Sequence, residues 1–422
     1  MDRRQFIGGT AAASGLLLLK PKTAFGYEAN STVRLALLGC GNRGTSVASS
    51  FAKNTSAHIV ALADLFPDQL EKGKAHFDQL NASLGKPAID PKLMFRGYKA
   101  FEEVAHSAEV DAVQISTPPW FHVQHLDAVV SAGKHAYCEK PVGIDVKQAK
   151  QALEIGKRVN GKVSIDVGFQ IRSAPPFVEA VRRIHEGALG KLAAITAYYN
   201  SPASSYPDRP GASADELRLR NWLWDRALSG DILLEQNIHV IDICNWIQQT
   251  HPVKAFATGG RNVISHFGNT WDNYQVGFTY PEGVHVSFSS TQFGTHGWFD
   301  VSERIFGSKG LAEMPYSGPL RILGDNPWTW AGSDQPKEQP GNFAANGAFT
   351  DNLAQADAEK DRGFIESITS GKFHNQIAAG VESALSCMLG REAAYRGHEI
   401  TWDDLLAKGE EYPLNIDMHQ FQ

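Results

Sequence analysis

The chain has 422 residues, 42% of them hydrophobic and 20% charged, with a formal net charge of −6. That length allows two or three domains with cores of their own, and the composition is that of an ordinary soluble globular protein. A negative balance without a basic run excludes a surface built for nucleic acid or anionic lipid.

Residues 1–26 stand apart from the rest. Arg3-Arg4, Phe6, the apolar run 7–19 and Ala24-Phe25-Gly26 have the layout of a twin-arginine export signal; the alternative is a basic, unstructured N-terminus. The run of 13 residues includes four glycines or serines and is too short to span a bilayer, which takes about 20 residues. Removal of residues 1–26 takes away four basic residues and one acidic residue and leaves a net charge of −9. The expectation is a periplasmic or otherwise exported protein whose mature chain does not insert into the membrane. Cys40, Cys138, Cys244 and Cys387 match no metal motif or small disulfide scaffold. Unpaired cysteines suit a protein that folds in a reducing compartment before export.

From residue 33 to 160, apolar strands alternate with helical stretches: "VRLALLG" (33–39), "HIVALAD" (58–64), "DAVQIST" (111–117) and "KHAYCEK" (134–140). Such alternation predicts a parallel sheet covered by helices on both faces. Gly39-Cys40-Gly41-Asn42-Arg43-Gly44 follows the first strand and opens a helix. In that turn the first glycine permits the tight bend, the second admits a pyrophosphate to the backbone, and the third lets helix pack on strand. The helix N-terminus presents free N–H groups and the positive end of its dipole. Asp64 ends the second strand 20 residues after Gly44, where a carboxylate accepts from ribose hydroxyls and repels a 2′-phosphate. The reading is NAD rather than NADP, with Gly39, Gly41, Asn42, Arg43, Gly44 and Asp64 around it.

Two further stretches, "STPPWFH" (116–122) and "YCEKP" (137–141), fall at strand ends, where ligands of doubly wound sheets bind. Strand–GxGxxG, strand–Asp, "TP…H" and "EKP", in this order, resemble the Gfo/Idh/MocA family of glucose–fructose oxidoreductase and inositol dehydrogenase. The resemblance implies a Rossmann domain followed by an α+β domain with a largely antiparallel, open-faced sheet. It also implies that Thr117, Pro118 and His122 border the dinucleotide, that Glu139 holds the nicotinamide ribose, and that Lys140 reaches the reacting carbon. Alone, Lys140 would read as a solvated lysine before a turn proline.

Residues 161–422 change period. "KVSIDVGFQIR" (162–172) reads as a strand and "PPFVEAVRRIHEGALG" (175–190) as a helix stopped by glycines. "LAAITAYYN", "HPVKAFATGG", "DNYQVGFTY", "GVHVSFSST" and "WFDVSERIFGS" alternate apolar and polar residues, as strands of an antiparallel sheet with one packed face do. Among them, "SGDILLEQNIHVIDICNWI" (229–247) reads as a helix capped at Ser229-Gly230-Asp231, with Glu235, His239 and Asp242 sharing one face. A carboxylate one turn before a histidine can orient it and raise its basicity. The family's helix reads Asp-x-Gly-x-His. Here the histidine matches, while glutamate replaces aspartate and asparagine replaces glycine, which shifts the substrate assignment more than the chemistry. Without the upstream motifs, Glu235 and His239 would read as a satisfied surface pair.

Arg172 resembles a cleft-facing position, with an ordinary surface arginine as the equal alternative. Seven of the nine tryptophans lie between residues 222 and 330, and Trp222 and Trp224 directly precede the catalytic segment. Flat aromatic faces stack on sugar C–H faces, although most buried aromatics are core. Arg172, Trp222 and Asp242 are the candidate substrate contacts. The expected reaction is hydride transfer between NAD and a secondary alcohol of a sugar, cyclitol or glycoside, with Lys140, His239 and Glu235 as the acid–base set and no metal. Two alternatives stay open: NAD-dependent glycoside cleavage through a transient keto-sugar, and a non-catalytic nucleotide or sugar sensor. The resemblance further implies a homo-oligomer.

Overall fold

The computed structural model describes residues 32–294, 298–333 and 351–421, and the export segment expected at 1–26 lies outside them. The first half builds six parallel strands, β1 (Arg34–Leu38), β2 (His58–Asp64), β3 (Met94–Arg96), β4 (Ala112–Ile115), β5 (His135–Cys138) and β6 (Ile165–Val167), in the order β3-β2-β1-β4-β5-β6. Leu35, Leu37, Ala112, Val113 and Ile115 are fully buried, because helices on both faces leave a parallel strand no solvent side. The order reverses between β1 and β4, and that crevice is where such sheets take ligands.

The strand expected at 162–172 is shorter and belongs to this first sheet. Ile165–Val167 pairs in parallel with Ala136–Cys138. Its alternation is misleading, since even Asp166 is buried, facing His374 at 3.6 Å. The chain then turns through a 3-10 segment, Gln170–Ser173. Gly168 permits the turn beside Glu139, whose Oε2 would lie 2.5 Å from an added Cβ.

The second half forms a nine-stranded sheet with β7 (Leu192–Pro202) at its centre, flanked by β10 (His285–Gly294) and β11 (Asp300–Gly307). β8 (Lys254–Gly260) and β9 (Asn273–Thr279) extend one side, and β12 (Gly310–Pro315) and β13 (Arg321–Gly324) the other, with two short strands at the edges. Every pairing is antiparallel except β7 with β10. Ile195, Ala197, Tyr199, Val286, Phe288, Val301 and Ile305 are buried on one face. The other face is open, with Thr196, Ser287 and Arg304 exposed and Phe256 63% accessible.

Both sheets belong to one compact unit, Val33–Gln422. Helix Ile377–Arg396 is buried along most of its length. Its buried Arg391 donates to the carbonyls of Ile144 (3.0 Å) and Gly230 (2.8 Å), so the loop after β5 and the segment carrying His239 are held by one guanidinium. All four cysteines are free and buried. No helix among the described residues is long and apolar enough to cross a membrane.

Candidate active site

Two adjoining pockets open at the C-terminal ends of the parallel strands. Gly39, Gly41, Asp64, Thr117 and Pro118 line the first; Glu139, Lys140, Glu235 and His239 line the second. Ser116, Thr117 and Trp222 border both.

The first pocket is shaped by backbone. Gly39 has φ +98°, and a Cβ there would lie 2.6 Å from the Ser116 carbonyl oxygen. At Gly44 it would lie 2.1 Å from the Gly39 carbonyl oxygen, whereas at Gly41 it would meet nothing within 4 Å. The turn is therefore closed against the protein at its first and third glycines and open at its second. Helix Asn42–Asn54 begins with no side-chain cap and no acidic residue in its first turn, so its leading N–H groups remain available to an anion. Asn42 is exposed. Asp64 accepts from the Cys40 N–H (2.7 Å) and the Phe66 N–H (2.9 Å), one bond per oxygen, leaving lone pairs for ribose hydroxyls. Burial raises its carboxyl above the ordinary aspartate value, and the two N–H donors oppose the rise. Open Gly41, the uncapped helix and this carboxylate fit a dinucleotide.

The second half of the chain roofs this pocket with Arg209, Leu219, Arg220 and Trp222, and the C-terminal tail adds Met418. The tail is fastened by the Tyr98 N–H to the Phe421 carbonyl (2.9 Å) and by the Trp120 Nε1–H to the Tyr412 carbonyl (2.9 Å). Thr117 Oγ1 lies 3.0 Å from His125 Nδ1. Burial pushes the His125 imidazole down to about 3, so it is neutral. None of these roof residues except Trp222 was signalled by motif or period.

The second pocket is shaped by charge. Lys140 Nζ donates to the Glu235 main-chain carbonyl and, at 2.9 Å, to Glu235 Oε1. Glu139 Oε1 accepts from Arg43 Nε (2.9 Å) and the Tyr137 hydroxyl (3.2 Å), and Arg43 also reaches Asp357 with both terminal nitrogens at 3.2 Å. His122 lines this pocket rather than the first. Its ring nitrogens lie 2.7 Å from the Thr117 carbonyl and 2.8 Å from the Pro141 carbonyl, and since burial disfavours the imidazolium, the single N–H of the neutral ring donates to one of the two.

His239 lines the pocket edge-on to Phe169, and its Nδ1 is buried with no partner among the described residues. Burial, followed by the charge of Lys140, holds the imidazole well below its ordinary value, so it stands neutral. The expected single helical face is corrected here. The helix breaks after Ile232–Glu235 and resumes at Ile238, with the Asn237 N–H donating back to the Ile232 carbonyl (3.1 Å). Glu235 turns to Lys140 instead of bracing His239.

Asp242 is also corrected as a substrate contact. It is buried, and both its oxygens are taken: Arg172 donates from Nε (2.7 Å) and Nη2 (2.8 Å), and Ser383 from Oγ (2.7 Å). Arg172 is spent in the same pair and is absent from the pocket wall, where Gln170 stands instead. Of the two neighbouring tryptophans, Trp222 lines both pockets, whereas Trp224 is core, edge-on to Phe267. Tyr199, Gln236 and Tyr316 also line the second pocket, and no sequence pattern marked them as site residues.

Residues 33–167 match a family model described as an oxidoreductase family with an NAD-binding Rossmann fold, and residues 177–313 match the GFO/IDH/MocA C-terminal domain. Inositol 2-dehydrogenase of Rhizobium meliloti is 25% identical over 293 residues, covering 69% of this chain and 78% of the relative. Myo-inositol 2-dehydrogenase of Thermotoga maritima is 22% identical over 365 residues, covering 86% and 95%. Aldose–aldose oxidoreductase of Caulobacter crescentus, solved with glycerol, superposes with a TM-score of 0.67 at 20% identity, covering 88% of this chain and 99% of that one.

Proposed function

The chain belongs to the GFO/IDH/MocA family of NAD-binding oxidoreductases, and on that premise we propose that it transfers a hydride between NAD and a secondary alcohol of a sugar, cyclitol or glycoside. The observation that carries this reading is the convergence of Lys140, Glu235 and His239 in a pocket that shares Ser116, Thr117 and Trp222 with the dinucleotide groove. The inositol dehydrogenases and the aldose oxidoreductase among its relatives support a polyhydroxylated substrate.

NAD, when bound, takes up and returns the hydride. The chain's own residues handle the proton and the oxygen. Neutral His239 accepts the hydroxyl proton, which an imidazolium could not do. Lys140 holds the same oxygen through Nζ and offsets its developing negative charge, while Glu235 keeps the ammonium aimed. Gly41, the leading N–H groups of helix Asn42–Asn54 and Asp64 would hold the dinucleotide on a turn whose tight closure Gly39 and Gly44 permit. Trp222, at the junction, offers an aromatic face to the sugar.

The roof over the first pocket supports a cofactor that stays with the protein between turnovers and is regenerated in place by a second substrate or a redox-neutral cycle. Export of the folded, loaded chain by the twin-arginine route and assembly of copies into an oligomer belong to the same proposal. Incubating the full chain with cyclitols, aldoses and glycosides deuterated at the carbinol carbon tests it. Deuterium should appear in NADH, or in a second sugar when the cofactor does not exchange. Release of an aglycone with no net NADH would instead favour glycoside cleavage, and no label movement from any of them would overturn the assignment.

A further inference from the structure

Four cationic side chains line the two pockets: Arg43, Lys140, Arg209 and Arg220. Three already have a carboxylate partner within the protein. Arg43 pairs with Glu139 and Asp357, and Lys140 pairs with Glu235. Arg220 pairs with Asp68 (2.8 Å) and Glu216 (2.7 Å), and its guanidinium carbon sits over Phe66, 3.7 Å from the ring centre. Arg209 differs. It enters no ion pair among the described residues, and its Nε is buried there without a partner. The carboxylate beside it, Asp208, accepts from the Arg209 backbone N–H (2.8 Å) instead.

The segment carrying Arg209 is fixed on several sides. The Ala212 N–H donates to the Arg209 carbonyl (3.0 Å), Asn221 Nδ2 to the Pro207 carbonyl (3.3 Å) and Trp224 Nε1 to the Ser205 carbonyl (3.4 Å). Tyr206 stacks on Phe267 with ring centres 4.5 Å apart. A guanidinium carried on backbone held this firmly, with a desolvated and unpaired Nε–H, is a site waiting for an acceptor. It lines the same pocket as Gly39 and Gly41, and the anionic group of NAD is its diphosphate. The uncapped helix start supplies N–H donors and about half a positive charge, which leaves a diphosphate short of a counter-ion.

We infer that Arg209 is that counter-ion, supplied to the dinucleotide's diphosphate by the second half of the chain. The inference rests on the NAD reading of the first pocket and adds that the roof is an ionic clasp as well as a cover. Ordered charge-assisted contacts of this kind slow dissociation more than they speed association.

Titration of the full chain, first stripped of bound nucleotide with activated charcoal, with NADH, ADP-ribose and adenosine tests it, with wild type beside Arg209→Gln. The variant should bind NADH and ADP-ribose about ten- to a hundredfold more weakly while keeping wild-type adenosine affinity. Its ligand-free melting midpoint should equal or exceed that of wild type, since a buried unpaired donor is removed, and NADH should raise that midpoint less. Unchanged NADH affinity, a parallel loss of adenosine, or a ligand-free midpoint well below wild type would overturn the inference by showing a packing role or none. Failure of the wild type to bind ADP-ribose at all would overturn the dinucleotide reading itself, an outcome distinct from the others.

Discussion

The two pockets share a wall at Ser116, Thr117 and Trp222 but are made of different materials. The floor of the dinucleotide groove is backbone and ring, with three glycines, a helix start, a neutral histidine and one buried carboxylate that accepts from the chain itself, and Arg209 and Arg220 stand in its roof. In the reactive pocket, Arg43, Glu139, Lys140 and Glu235 are locked in ion pairs around a histidine that carries none. Holding a cofactor calls for shape and fixed dipoles, so changes there should be read in affinity and stability. Moving a proton calls for charges held in place without being quenched, so changes there should be read in turnover. Substitutions in the two regions should therefore fail in opposite ways.

The largest effect is expected in the reactive pocket. Lys140→Met and His239→Ala should each lower turnover by about 10²- to 10⁴-fold and leave NADH affinity within a few fold of wild type. Stopped-flow hydride transfer beside fluorescence titration separates the two quantities. Wild-type turnover in His239→Ala would remove helix Ile238–Gln248 from the chemistry.

In the groove, position within the glycine turn should decide what is lost. Gly44→Ala drives a methyl against the Gly39 carbonyl, 2.1 Å away, and should cost about 1–3 kcal/mol of stability, seen as a lower melting midpoint. Gly41→Ala meets no protein atom within 4 Å, so its midpoint should hold while NADH affinity falls about tenfold. Equal melting losses in the two variants would mean that Gly41, too, is packed against protein.

A smaller change should convert the groove's selectivity. Asp64→Ser with Leu65→Arg removes the carboxylate that repels a 2′-phosphate and adds a cation beside it, so the NADP-to-NAD affinity ratio should rise by about tenfold or more. A wild type that already prefers NADP would show that Asp64 does not face the ribose.

The mildest perturbation is pH. Burial and the Lys140 charge disfavour the His239 imidazolium, so the ring should keep its base form below pH 6.5, and the acid limb of kcat/KM should fall below that value. For stability the sign is the reverse of a paired histidine. With the folded value depressed, the unfolded chain binds the proton more readily as pH drops below 6.5, so His239 weakens the fold in acid. His239→Gln should melt with less acid sensitivity than wild type. An acid limb above 6.5 would mean that a carboxylate has moved onto the ring.

What could be read from residue order is what neighbouring residues dictate. Gly39, Gly41 and Gly44 stand in the turn because of backbone space within a few residues, and Asp64 is legible because it ends the apolar run His58–Asp64, 20 residues after Gly44. The parallel strands β1, β2, β4 and β5 and the alternating strands β7 to β11 follow from the same short-range rules, whereas the three-residue β3 and the strands β12 and β13 carried no such signal.

Tertiary structure decided the partners. Period alone made Glu235, His239 and Asp242 one helical face, but the turn at Gln236–Asn237 breaks it. Glu235 then joins Lys140, 95 positions away in sequence, and Asp242 joins Arg172, 70 away. Arg43 reaches Asp357 across 314 positions, and Arg209 reaches the groove from the other half of the chain. A strand's two buried faces, as at Ile165–Val167, likewise depend on which sheet receives it. Periodicity records how a segment meets its own neighbours. Which charge a side chain meets, and so whether it is quenched, aimed or free to react, is settled only when distant segments pack, and in this protein that packing makes the difference between a carboxylate bracing a histidine and one holding a lysine.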